Sequence, residues 1–156
     1  MIAGRSGTQK SGLALFWVAQ MNLPTLYLSA DMSPFTASAR LASMVTGDTT
    51  EQVEAGMAQG RDQRRRYLDA LAHLRITFSF GSPITWRGID EEFEAYVELW
   101  DAYPQVLVLD NLMDFDGAES DYTAQMAVMA RVTELARATG ATVLILHHAS
   151  DNSWEA

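Results

Sequence analysis

The segment Gly4-Arg5-Ser6-Gly7-Thr8-Gln9-Lys10-Ser11 carries the most specific chemistry in the sequence. It lies between a short apolar run and a helix-forming run. Backbone N–H groups of such a loop converge on phosphate oxygens, and the N-terminus of the following helix adds partial positive charge. Lys10 would neutralise β/γ-phosphate charge, and the Ser11 hydroxyl would coordinate Mg²⁺. The pattern for this chemistry is G-x-x-x-x-G-K-[ST]. Gly4, Lys10 and Ser11 fit it, and Gln9 stands where the second glycine belongs. A side chain there predicts either a clash or a changed backbone angle where the chain passes closest to phosphate. Read without a ligand, the segment is a Gly/Ser/Thr turn joining strand to helix. Lys10 is the only lysine in the chain, and it falls at the position the phosphate reading requires.

Three polar positions further along complete the constellation. Asp110 ends the apolar run Val106-Leu107-Val108-Leu109, where it either caps a turn or holds Mg²⁺ beside Ser11. Asp31 follows Thr25–Ser29 and is either a turn residue or the carboxylate that orients an attacking water. His147 and His148 end the last apolar run. Adjacent strand residues point to opposite faces, which argues against a shared metal; either one histidine packs inside and the other is solvated, or one of them, His148 before His147, has a polar role such as contact with a terminal phosphate.

These residues need a sheet to bring them together. β-rich runs at 1–4, 25–29, 76–80, 106–109 and 142–146 alternate with helical stretches at 11–21, 33–45, 50–57, 62–74, 90–103 and 122–139. That alternation predicts an α/β fold of three layers, a mostly parallel sheet with helices on both faces. The runs at 106–109 and 142–146 are continuously apolar, as strands buried on both faces are. Ser33 and Pro34 read as a helix start, and Gly47 and Gly140 as helix stops. The Met and aromatic stripes of the helices read as core. Arg61, Arg64, Arg65 and Arg66 read as a solvated helix face with Asp62 and Asp69 as partners. The polar, acidic stretch 114–121 is the expected mobile segment.

With 156 residues, 48% hydrophobic and 10% aromatic, the chain suits one domain with a core rather than a disordered segment. The absence of cysteine excludes a disulfide scaffold, a thiolate zinc site and a cysteine nucleophile. No apolar run approaches the roughly 20 residues that span a bilayer, and the first ten residues lack a signal architecture, so a cytoplasmic protein without a membrane partner is expected. A formal net charge of −9 excludes nucleic-acid binding over the whole surface and leaves it to a local loop, a segment outside the chain or an assembly. The chain opens almost directly on its loop and stops soon after its last strand, which predicts one domain over 1–156 that lacks flanking segments.

The ordered set resembles the ATPase core of the RecA/DnaB-like P-loop superfamily, in particular the replicative hexameric DNA helicases. Its divergent form is similar to helicase-like ATPases encoded by actinobacterial phages. Ala3-Gly4-Arg5 resembles the start of the helicase loop. Leu28-Ser29-Ala30-Asp31-Met32 resembles the family's S-L-E-M, whose glutamate is the catalytic base, and Val108-Leu109-Asp110-Asn111-Leu112 resembles its metal-aspartate segment. His148 falls on the sensor glutamine. The resemblance implies an ATP- and Mg²⁺-dependent motor core in DNA replication or recombination. Lys10, Asp31, Asp110 and His148 would be its catalytic residues, the segment from Gly4 to Gly12 its nucleotide loop, and Ser11 and Asp110 its metal ligands. It also implies a homo-oligomeric, hexameric ring that meets single-stranded DNA through loops or segments outside the chain, with an arginine finger from the neighbouring subunit. Gln9 for glycine and Asp31 for glutamate leave a second expectation open, a degenerate nucleotide-binding or scaffold module of the same fold with little turnover.

Overall fold

The computed structural model describes residues 1–5, 7–112, 115 and 122–148. In chain order the elements are β1 (Ile2–Gly4), α1 (Lys10–Met21), β2 (Thr25–Ser29), α2 (Pro34–Thr46), α3 (Thr50–Gln59), α4 (Arg61–Leu71), β3 (Ile76–Phe80), α5 (Trp86–Trp100), β4 (Val106–Asp110), α6 (Tyr122–Thr139) and β5 (Thr142–His148). The strands form one parallel sheet in the order β1-β5-β4-β2-β3.

Alternation along the strands sends side chains to two cores. Leu26, Leu28, Leu107, Leu109 and Ile145 face α5 and α6, meeting Ile89, Phe93, Val128 and Val132. Tyr27, Val106, Val108 and Leu146 face α1 and α2, meeting Leu15, Val18 and Leu41. α3 and α4 lie outside that second layer, closed around Ala39, Ala42, Val53 and Tyr67. The result is the expected three-layer α/β fold.

Local chemistry sets the boundaries. Ser33 caps α2 by accepting from Thr36 N, Pro34 occupies the first helical turn, and Gly47 ends the helix at φ 78°. Thr49 and Gln52 cap α3 reciprocally. α5 starts at Trp86, four residues before the predicted start, because the Thr85 hydroxyl accepts from Gly88 N at 3.0 Å. The Trp86 ring packs against Phe115 at 5.3 Å, so the first turn of α5 is anchored by tertiary contact that periodicity does not reveal. The same helix ends at Trp100, where Asp101 turns left-handed, rather than running to Tyr103.

Two further expectations are corrected. β5 is not buried on both faces as β4 is: Thr142 is exposed and Val143 and Leu144 are half-buried, because β5 is followed in the sheet only by the short β1. It also extends through His147 and His148, which pair in register with Ala3 and Gly4. Within the arginine cluster, Arg65 pairs with Asp69 at 3.7 Å, but Arg66 turns to Asp48 at 2.9 Å and Arg64 to the Met57 carbonyl at 3.0 Å. The cluster therefore ties α4 to its neighbours as well as facing solvent. Of the stretch 114–121, only Phe115 lies among the described residues, and it is buried. No helix among the described residues is long and apolar enough to cross a membrane.

Candidate functional site

The carboxyl ends of four neighbouring strands form one continuous edge. Gly4 ends β1, His148 ends β5, Asp110 ends β4 and Ser29 ends β2, and the register aligns Gly4 with His148 and Ser29 with Asp110. Ala30 N donates to the Asp110 carbonyl at 2.9 Å, fixing the turn that carries Asp31 beside the end of β4. Ligands of open α/β sheets bind at this edge.

The loop after β1 is tightly built. The Thr8 hydroxyl donates to the Arg5 carbonyl at 2.8 Å, and a Cβ on Gly4 would stand 2.8 Å from that same hydroxyl oxygen. A side chain at Gly4 would thus push the Thr8 hydroxyl off this bond. Gly7 has φ 78°, the left-handed region that favours glycine. Ser6 lies outside the described residues. Gln9 has φ 61° and ψ 26°, so it adopts the left-handed backbone a glycine would take there, and the loop keeps its path. Its side chain folds back toward Gly12, with Oε1 3.3 Å from where a Gly12 Cβ would be. A side chain at Gly12 would crowd the Gln9 amide in this position.

The N-cap residue of α1, Gln9, makes no side-chain cap hydrogen bond. The first amides of a helix lack intrahelical acceptors, so this end offers donors and a positive dipole end to the loop. Lys10 is 7% exposed, and its ammonium donates to the Gly4 carbonyl at 2.9 Å and the Arg5 carbonyl at 2.8 Å. Its Nζ also lies 3.2 Å from His148 Nδ1. When the His148 ring is neutral and Nδ1 accepts, its proton sits on Nε2.

Asp110 is 3% exposed. Burial raises its carboxyl above the ordinary aspartate value, with the nearby Asp31 charge acting the same way, while the Ser11 and Tyr27 hydroxyls and His148 oppose the rise. Tyr27 Oη donates to Asp110 Oδ2 at 2.9 Å. Burial, then the Asp110 charge, push that phenol far above its ordinary value, so it stays protonated. Asp31 is exposed, and one of its oxygens accepts from Asn111 Nδ2 at 3.3 Å. Its position at the edge is fixed by the Ser29–Met32 turn, in which Met32 N donates to Ser29 Oγ at 3.2 Å.

Gly7, Thr8, Gln9, Lys10, Ser11, Gly12, Asp31 and His148 line one cavity of ≈ 160 Å³, together with Arg40 of α2. An adjoining cavity of ≈ 350 Å³ shares Gln9, Gly12 and Arg40. The first is polar and of phosphoryl-group scale rather than large enough for a whole nucleotide. Arg40 carries no signal in the sequence. It sits nine residues beyond Asp31 on a helix whose inner face is apolar, and only folding α2 against α1 turns it into the cavity. His147, by contrast, is on the opposite face of β5. Its Nδ1 is buried without a hydrogen-bond partner among the described residues, and burial, then the His148 and Lys10 charges, lower its pKa.

The donors fit a hydrated Mg²⁺ bound with a polyphosphate. Such an ion takes one or two protein oxygens and keeps phosphate and water oxygens for the rest. The Ser11 hydroxyl beside the Asp110 carboxylate supplies that oxygen pair. No group of three or more His, Cys, Asp or Glu side chains arranged to hold a metal alone occurs among the described residues.

Comparison with known proteins bears on the family and the fold. The chain is 28% identical over 152 residues to the Gene 65 protein of Mycobacterium phage L5, and 26% over 152 residues to the Gene 65 protein of Mycobacterium phage D29. Both alignments cover 95% of this chain, against 56% of the L5 protein and 65% of the D29 protein. The chain thus spans a little over half to about two-thirds of the length of these relatives. Its fold superposes on a DnaB-like replicative helicase, whose structure was described with its interactions with primase, at a TM-score of 0.79 and 14% identity, covering 99% of this chain and 40% of that one. It superposes on the solved ATPase domain of a second protein at a TM-score of 0.77 and 16% identity, covering 97% of this chain and 57% of that one. Residues 1–153 match the AAA domain family. The chain therefore has the fold of a RecA/DnaB-like P-loop ATPase core and belongs to the AAA domain family.

Proposed function

We propose that this edge binds ATP with Mg²⁺ and hydrolyses it, as the motor core of a DNA helicase acting in replication or recombination. The observation that carries the reading is Lys10, the sole lysine, buried with its ammonium on the loop carbonyls and lining a cavity with Ser11, Asp31, Arg40 and His148. In this reading the loop amides and Lys10 hold the β- and γ-phosphates, and Arg40 adds a second positive charge from α2. Mg²⁺ would be held by Ser11 and, through water, by Asp110, and when bound it neutralises charge on the transferring phosphoryl group. Asp31, with one oxygen held by Asn111, orients the attacking water. His148 sits at the end of β5 and touches the lysine, so it is placed to register loss of the terminal phosphate.

The assembly is part of the same proposal. A hexameric ring places an arginine of one subunit against the nucleotide of the next, and single-stranded DNA meets loops at the ring's centre rather than the acidic body of the domain. Leu13, Phe16, Trp17 and Met21 leave an exposed apolar stripe along α1, which supports burial against another subunit.

Phosphate release measured with and without single-stranded DNA tests the reading. Hydrolysis stimulated by DNA and lost in Lys10→Ala is expected, and equal hydrolysis by wild type and Lys10→Ala would remove it. Tight nucleotide binding with negligible turnover in every condition favours instead a degenerate binding module of the same fold.

A further inference from the structure

Tyr27 stands in the middle of β2, a strand whose five residues are all buried, and is itself 0% exposed. An aliphatic side chain satisfies such a position. A tyrosine brings a hydroxyl that must find a partner in the interior. Its register partner across the sheet is Val108, two residues before Asp110, and the side chains of Tyr27, Val108 and Asp110 share the face toward α1. Two residues of strand rise about 6.6 Å, close to the length of a tyrosine side chain. The ring therefore lies along the sheet and delivers Oη to Asp110 Oδ2 at 2.9 Å. Phe78 backs it at 5.1 Å between ring centroids and limits its rotation.

From this juxtaposition we infer that Tyr27 is a positioning residue for the metal site: its hydroxyl occupies one oxygen of Asp110 and so holds the carboxylate turned toward Ser11 and the Mg²⁺ water shell. The inference rests on the nucleotide reading above. Tyr27 does not touch the ion or the phosphates. It acts through Asp110, as the outer hydrogen-bond partners of metal ligands do.

The test uses the whole chain, ATP and Mn²⁺ as the probe ion, whose free concentration is read by electron paramagnetic resonance. Wild type is first titrated with a fluorescent ATP analogue, in Mn²⁺ and in EDTA. No binding in either condition overturns the nucleotide reading itself, and this inference with it. Where wild type binds, Tyr27→Phe is expected to need roughly tenfold more Mn²⁺ for half-saturation of the nucleotide complex, the lower end of the range for such outer partners. An unchanged Mn²⁺ midpoint overturns the inference while leaving the nucleotide reading intact. The double variant Tyr27→Phe/Asp110→Asn separates positioning from a general packing effect. With the carboxylate gone, removal of the hydroxyl is expected to shift the midpoint no further, and a persistent tenfold shift contradicts action through Asp110. If Tyr27→Phe loses its cooperative thermal transition, Tyr27→Met replaces it, since methionine fills irregular space without a hydroxyl.

Discussion

Lys10 Nζ and His148 Nδ1 lie 3.2 Å apart although 138 positions separate them in the chain. The contact joins the loop after β1 to the end of β5, and it exists because those two strands are neighbours in the sheet. Among the described residues the ammonium has two carbonyls and one imidazole as partners, one for each N–H when Nδ1 accepts. A phosphate oxygen arriving there must share or displace one of them.

Replacing His148 therefore affects turnover through the lysine. A hydrogen bond to a charged group is worth ~1.5–3 kcal/mol, roughly a tenfold effect or more. His148→Ala is expected to lower the rate of phosphate release about tenfold by that estimate, and His148→Gln, which keeps an acceptor, to recover much of it. Steady-state phosphate release of the three proteins checks this, and equal rates would contradict a role for the contact.

Gln9→Gly tests the odd residue of the loop. A left-handed backbone costs a non-glycine residue roughly 1–2 kcal/mol, and glycine gives back about 0.5–1 kcal/mol through the greater freedom of the unfolded chain. The first effect is the larger, so a net gain of roughly 0.5–1 kcal/mol is expected as a small rise in the urea midpoint. Nucleotide affinity is expected to rise, because the side chain folded against Gly12 leaves the cavity wall it lines. A weaker-binding Gln9→Gly protein would show that the glutamine contributes to the site instead.

The sequence makes the layered fold readable because β2 and β4 are short apolar runs between turn residues and α2 carries its own cap and stop. It also places Asp31, Asp110 and His148 at one edge, since a parallel sheet puts every strand's end on the same side. Arg40 and Tyr27 are not legible in that way. Arg40 reaches the cavity only through packing of α2 against α1, and Tyr27 reads as one more buried strand residue until the sheet order sets β2 beside β4. The early start of α5 is hidden for the same reason, because Trp86 is held by Phe115 and Arg131 rather than by apolar spacing.

Gly56→Ala probes the satellite core. A Cβ there would stand 2.6 Å from Tyr67 Cε2, and Tyr67 cannot swing away because Oη donates to Asp48 Oδ2 at 2.9 Å. Alanine gains up to about 1 kcal/mol in helix propensity, but overpacking of this kind costs typically about 1–3 kcal/mol. A net loss of stability is expected in urea unfolding. A gain would mean that α3 and α4 separate easily.

His147 gives a pH dependence with a definite sign. Burial, then the His148 and Lys10 charges, hold its folded pKa below the ordinary histidine value. The folded state thus binds that proton less readily than the unfolded chain does. The contribution is fully present above about pH 6.5 and is lost as pH falls from there through the lowered folded value. Its Nδ1 has no partner among the described residues, so His147→Leu is expected to fold and to lose less stability than wild type between about pH 7.5 and 5.5. Parallel urea midpoints for the two proteins across that range would contradict the assignment.

Equilibrium titration of a fluorescent ATP analogue in Mg²⁺, wild type against Lys10→Ala, bears most directly on the whole account. Saturable binding by wild type, displaced by unlabelled ATP and abolished in a Lys10→Ala protein that still melts cooperatively, is the predicted result. Binding of equal strength by both proteins, or by neither, would contradict a phosphate site built around that ammonium.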